Sequence, residues 1–162
     1  MHFSGFFCIL GVNQNTTQMM NQEVRRIMTT DPVVVGPTER INKVAQLMVD
    51  KKIQQIPVVE DGKLLGLITS YDLWKDNNVN AAEANSTVEQ VMNKNVLVIT
   101  PKDKVGTAAQ LFMDKRFKTL PVVNLRNELK GVVTAFDVIR HSLTQAFPRP
   151  ILYPEVFEEI EK

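Results

Sequence analysis

Cysteine is almost missing from this chain of 162 residues, and its one thiol, Cys8, excludes an internal disulfide and fits a reducing compartment. Two histidines, His2 and His141, lie too far apart in sequence to suggest a zinc site. Neither charge sign is in excess: 19 Lys and Arg against 18 Asp and Glu leave a formal charge of +1. A protein that binds nucleic acid by releasing counterions needs a basic stripe, and this one has none. Long apolar runs are also lacking. Phe6 to Val12 falls far short of the ~20 residues that span a bilayer, and it has no basic flank of the kind that opens a secretory signal. Phosphate-cradling Gly-Lys loops, nucleophile elbows and His-Glu zinc helices do not occur. The expectation is a cytoplasmic protein with no metal and no catalytic centre, which binds neither nucleic acid nor membrane.

What the chain does contain is itself, twice. At a shift of 64 positions, Val24, Met28, Val34, Pro37, Ala45, Gln46, Leu47, Asp50, Lys51, Pro57, Val58 and Val59 each meet their own residue type. Past the two turns the shift becomes 65, and Leu64, Gly66, Thr69 and Asp72 fall on Leu129, Gly131, Thr134 and Asp137. A repeat of this length decides the architecture before any single residue does. Recurrent Pro, Gly and apolar residues require only a shared fold. Thr69 with Asp72, and Thr134 with Asp137, are polar pairs whose recurrence points to a task.

Each copy predicts the same elements. Glu23 to Met28 reads as a short helix stopped by Asp31-Pro32, and Val33 to Val35 as a brief buried strand closed by Gly36-Pro37. Ile41, Val44, Ala45, Leu47 and Met48 share one face at helical spacing. Pro57-Val58-Val59 begins a strand, Asp61-Gly62 signals a two-residue hairpin, Leu64 to Ile68 returns, and a helix starts near Ser70. The second copy repeats this order, with strands at Leu97–Ile99, Pro121–Val123 and Leu129–Val133. The expected division is an N-terminal extension over 1–21, repeats over 22–76 and 87–145, a polar linker over 77–86 and a tail over 146–162, where Glu155 to Ile160 suits a short acidic helix. Neither copy is large enough to bury its own apolar faces, so the two are expected to pack as one body.

The order Met-x-x-(Asp/Asn)-x-(Val/Leu)-Val, an Ala-bearing amphipathic helix, (Ile/Leu)-Pro-Val-Val and Gly-x-(Ile/Val)-Thr-x-x-Asp resembles the CBS domain, named after cystathionine β-synthase. Two in tandem, from Val24 to Leu143, look like a Bateman module. The resemblance implies an α/β fold in α+β layers, each repeat running helix-strand-helix-strand-strand-helix, paired by a pseudo-two-fold axis. It also implies a regulatory module that needs no cofactor and takes AMP, ADP, ATP or S-adenosylmethionine in the cleft between repeats. Such modules commonly pair as homodimers, and with no catalytic domain in the likeness a separate effector protein is expected.

Beside that resemblance stands a physical case. Thr69 and Thr134 come where a strand ends and a helix begins, so each hydroxyl is placed to donate to a phosphate or ribose oxygen. Asp72 and Asp137 bring acceptor oxygens that match the paired hydroxyls of a ribose. Ile56, Pro57, Val58 and Leu120, Pro121, Val122 are expected to wall a purine, with Gly66 and Gly131 permitting close backbone approach. Thr-x-x-acid is also the capping-box pattern, in which the acid reaches back to the cap amide and no ligand is involved. Positions that often carry Arg or His in nucleotide-binding relatives hold Gln54-Gln55 and Lys118-Thr119 here. One cation suits AMP or S-adenosylmethionine better than ATP, and Lys118 is expected to favour the second copy; a solvated lysine at a helix end is the other reading of it. A ligand-free module for self-association or partner docking is the alternative. Tyr71, Trp74 and Phe136 are expected in the core.

Overall fold

The computed structural model describes residues 14–75, 86–115 and 118–146. Helix α1 (Gln14–Met20) leads into a 3-10 turn, Val24–Arg26. The first repeat continues with α2 (Ile41–Lys51), β1 (Gln55–Glu60), β2 (Lys63–Thr69) and α3 (Ser70–Lys75). The second follows with α4 (Val88–Val91), α5 (Val105–Lys115), β3 (Thr119–Val123), β4 (Leu129–Thr134) and α6 (Ala135–Ala146). Residues 1–13, most of the linker and the tail helix lie outside the described residues, as do Cys8 and the Phe6 to Val12 run.

Both hairpins form as the turn chemistry requires. Asp61 (φ 49°) and Gly62 (φ 78°) are both left-handed, the two-residue turn whose twist matches the strands it joins. In the second copy Asn124 and Glu128 bracket a three-residue loop, and Asn127 (φ 60°) supplies the left-handed position. That extra residue is the shift from 64 to 65. Each hairpin is a two-stranded antiparallel sheet with a register break at the same place, after Val58 and after Val122.

The expected strands at 33–35 and 97–99 shrink to single rungs. Val35 bridges Val58 in parallel, and Ile99 bridges Val122 likewise. Val33, Val34, Leu97 and Val98 are exposed, so these runs are not buried strands. Pro37 and Pro101 follow within two residues, and a residue without an N–H cannot extend the ladder. The helix expected over Glu23 to Met28 is likewise only the three-residue turn.

The segment that leads each repeat closes the other one. Val24 N–H donates to Asp103 O at 2.8 Å and Arg25 N–H to Pro101 O at 3.0 Å. Reciprocally, Val88 N–H donates to Glu39 O at 2.9 Å and Glu89 N–H to Pro37 O at 3.0 Å. The first amides of α2 and α5, which no helical carbonyl serves, reach Ser86 O at 3.1 Å and Gln22 O at 2.9 Å. Side chains follow the backbone. Val88 and Met92 lie in the core of Val35, Ile41, Val44, Ile56, Val58 and Ile68, whereas Val24 lies in that of Ile99, Val105, Leu120, Val122 and Val133. Two small cores thus interlock across the repeats. Helix α1 packs on α5 and α6 and buries Met19.

Candidate functional site

Thr69 ends β2 and Thr134 ends β4, each at the first turn of the helix that follows. At the first corner Asp72 N–H donates to Thr69 Oγ1 (3.1 Å), while Thr69 N–H (2.9 Å) and its hydroxyl (2.6 Å) both donate to Asp72 Oδ2. The second corner repeats this at 3.2, 2.8 and 2.6 Å between Asp137 and Thr134. The capping pattern is therefore formed in both copies, with Asp in the role usually given to Glu. In this structure the hydroxyl expected to face a phosphate donates to its own Asp in both corners. Asp72 Oδ1 and Asp137 Oδ1 accept no hydrogen bond from the described residues. What each half-buried corner offers is a carboxylate acceptor, which suits ligand hydroxyls rather than phosphate oxygens.

The expected purine wall divides. Ile56, Val58, Leu120 and Val122 are closed completely into the two cores and expose no surface to a ligand. Alternation along the strand sets Pro57 and Pro121 on the opposite face, though both are buried too. Gly66 and Gly131 do permit close approach, but to backbone. A Cβ at Gly66 would stand 2.7 Å from Asn93 O, and one at Gly131 would collide with Thr29 O.

Two contacts mark the pseudo-two-fold axis, because each joins a residue to its own counterpart in the other repeat. At the hairpin tips Lys63 bridges Glu128. At the opposite end, beside the Thr–Asp corners, Lys118 Nζ donates to Gln54 Oε1 at 3.1 Å. Gln54 O also accepts the Ser70 N–H at 2.9 Å, which fixes it against the first turn of α3. Lys118 belongs to the second repeat in sequence, yet its ammonium faces the first. The next residue, Gln55, pairs with Thr69 and so shares its face; its Oε1 is buried without a hydrogen-bond partner among the described residues.

Sequence reasoning missed the role of the aromatics. Tyr71, Trp74 and Phe136 are exposed, at 61%, 73% and 61% of their surface, and not in the core. Tyr71 and Trp74 lie with ring centroids 6.2 Å apart, and the Arg140 guanidinium stands 4.8 Å above Phe136. Their helical spacing was visible, but the period does not say which side of the helix is covered within one chain. At the distant hairpin tip Glu128 is held below the ordinary carboxylate range by hydrogen bonds from Lys130 Nζ (2.9 Å) and Asn124 Nδ2 (2.7 Å).

Two interlocked repeats with paired Thr–Asp corners match a known family. The model described as CBS domain fits residues 24–73 and 88–144. The chain belongs to the CBS-domain family. Among solved structures, the protein MJ1225 of Methanocaldococcus jannaschii is 30% identical with a TM-score of 0.70, over 76% of this chain and 48% of that one. CBSX2 in complex with AMP is 29% identical with a TM-score of 0.68, over 75% of this chain and 96% of that one. The CBS domain pair of MJ0100, in complex with 5′-methylthioadenosine and S-adenosyl-L-methionine, is 28% identical with a TM-score of 0.64, over 74% of this chain and 94% of that one. The chain spans about half the length of the curated relative MJ1225, 47%. Some relatives are enzymes: a homoserine O-acetyltransferase of Methanohalobium evestigatum is 32% identical over 118 residues, which are 23% of that enzyme and 72% of this chain. No helix among the described residues is long and apolar enough to cross a membrane.

Proposed function

We propose that this CBS pair is a non-catalytic cytoplasmic sensor that binds an adenosine-type ligand between its repeats and passes the change to a separate effector protein. The observation that carries the reading is Oδ1 of Asp72 and of Asp137, which accepts no hydrogen bond from the described residues while Oδ2 is held by the Thr, and so is left to accept from a ribose hydroxyl. The similarity to pairs solved with AMP and with S-adenosyl-L-methionine supports the ligand class. Charge selects within it. Lys118 is the only cation among the four positions Gln54, Gln55, Lys118 and Thr119, which suits AMP or S-adenosylmethionine and disfavours the longer phosphate chain of ATP. In this arrangement Thr69 and Thr134 hold the two carboxylates in place.

Thermal shift against AMP, ADP, ATP, S-adenosylmethionine, NAD and GTP tests this. Ligand at a hundredfold excess over its Kd stabilises the fold by about 2.7 kcal/mol, a rise of several degrees. Adenosine-bearing compounds are expected to produce it and GTP to produce less. Flat curves throughout reject the sensor reading.

The second reading, a ligand-free association module, is favoured by a different observation. Tyr71 and Trp74 on α3 and Phe136, Ile139 and Leu143 on α6 are all exposed. Homodimerisation through these helices is compatible with either reading.

A further inference from the structure

The axial position of Lys118 has a consequence for stoichiometry. Equivalent residues that touch must lie on the axis relating the repeats, so the Gln54–Lys118 contact belongs equally to both corners. Gln54 precedes β1, whose Gln55 pairs with Thr69; Lys118 precedes β3, whose Thr119 pairs with Thr134. One flexible ammonium therefore stands at the seam beside both strands that pair with the carboxylate-bearing corners. We propose that the pair takes two uncharged adenosine ligands but only one phosphate-bearing one, because Lys118 neutralises a single phosphate at a time.

The inference rests on the ligand class proposed above and adds a rule to it. A first AMP draws Lys118 Nζ away from Gln54 toward its phosphate. A second then meets neutral Gln54 and Gln55 or Thr119, with its own Asp carboxylate and the first phosphate adding negative charge. Adenosine carries no charge and engages each corner through ribose alone, so its two sites remain alike. Coupling between sites typically amounts to 5–150-fold, and about tenfold or more is expected here between the first and second AMP.

Titration calorimetry on the full chain decides the matter, with adenosine and AMP as titrants. Adenosine is expected to fill two sites of one affinity, and AMP one site, with the second at least about tenfold weaker. Lys118→Gln is expected to bring the first AMP down to the weak class. Gln54→Lys, which places a second ammonium on the axis, is expected to raise the second AMP to the first. Both positions are exposed, so neither change threatens folding, and melting curves of each variant verify this. Two AMP molecules of equal affinity in the unaltered chain would overturn the inference, as would one adenosine per chain or an AMP isotherm unchanged by Lys118→Gln. Absence of binding by both compounds rejects the sensor reading itself, a separate outcome.

Discussion

Thr29 and Val132 exchange two backbone hydrogen bonds, at 2.9 and 3.0 Å, and so tie the leader of the first repeat to the return strand of the second. Leu67 and Asn93 form the reciprocal pair, at 3.0 and 2.9 Å. The strands approach this closely only because Gly66 and Gly131 lack a Cβ. Gly131→Ala and Gly66→Ala are each expected to destabilise the fold by about 1–3 kcal/mol, since the nearest colliding atom at each is a backbone oxygen that cannot swing aside. Gly36→Ala, with only Glu39 Cγ at 4.0 Å, is the control and should stay within about 0.5 kcal/mol. Urea titration of the three variants measures this, and equal midpoints would mean that the leaders are not held as described.

A second expectation separates cap from ligand site. Asp72→Ala and Asp137→Ala each remove the acceptor of two hydrogen bonds and should cost about 0.5–2 kcal/mol of stability without ligand. If the free Oδ1 also holds a ribose, affinity at the altered corner falls roughly ten- to a hundredfold as well. With Lys118 on the axis, the two variants should lose adenosine affinity equally. Calorimetry beside ligand-free melting reads both quantities. Lower stability with unchanged affinity per folded molecule would reduce the Asp to a cap.

The hairpins, the long helices and the Thr–Asp pairs were legible in the sequence because each depends on local chemistry. Asp61-Gly62 dictates its turn, and the face of Ile41, Val44 and Met48 dictates a helix. The exchange of leaders was not legible. Periodicity announces that Val24 and Val88 are buried, but a repeat gives both the same environment in sequence and cannot say whose core each enters. The same limit hid the core burial of Ile56 and Leu120, which stand next to prolines in a pattern associated with ligand sites. It also hid the axial place of Lys118, since only a three-dimensional contact shows a residue meeting its own counterpart.

Glu128 supplies a pH-dependent contact at the hairpin tips. Its folded pKa is lowered, first by the hydrogen bond from Lys130 and then by that from Asn124. A lowered carboxylate contributes stability above its unfolded pKa and loses it as pH falls through the folded value. The effect is confined to the acid limb and is small, because the ion pair is only partly buried and solvent screens it. Lys130→Met removes the leading cause, so the Glu128 midpoint followed by NMR is expected to rise toward the ordinary Glu value. An unchanged midpoint would show that the Lys130 contact does not persist in solution.

Association is expected through α3 and α6. Tyr71 and Phe136 are counterparts at the shift of 65, as are Trp74 and Ile139, so the pseudo-two-fold sets two apolar helix faces in equivalent positions. Exposed large side chains in such numbers mark an interaction surface more often than bare solvent contact, and a face repeated by symmetry suits a second copy of the chain. Light scattering at micromolar concentration should therefore give twice the chain mass. Trp74→Ser with Phe136→Ser is expected to yield monomer, since aromatic anchors contribute about 2 kcal/mol or more each, roughly thirtyfold in Kd. Both positions are exposed, so melting of the monomer should be nearly unchanged. A chain beginning at Asn13 asks whether the apolar run Phe6 to Val12 contributes. It retains α1, whose Met19 is buried, which a start at Met20 would remove. Dimer in both lengths assigns the interface to the helices, and loss of it only in the shorter chain assigns it to the run. A monomer in the full chain rejects the association altogether.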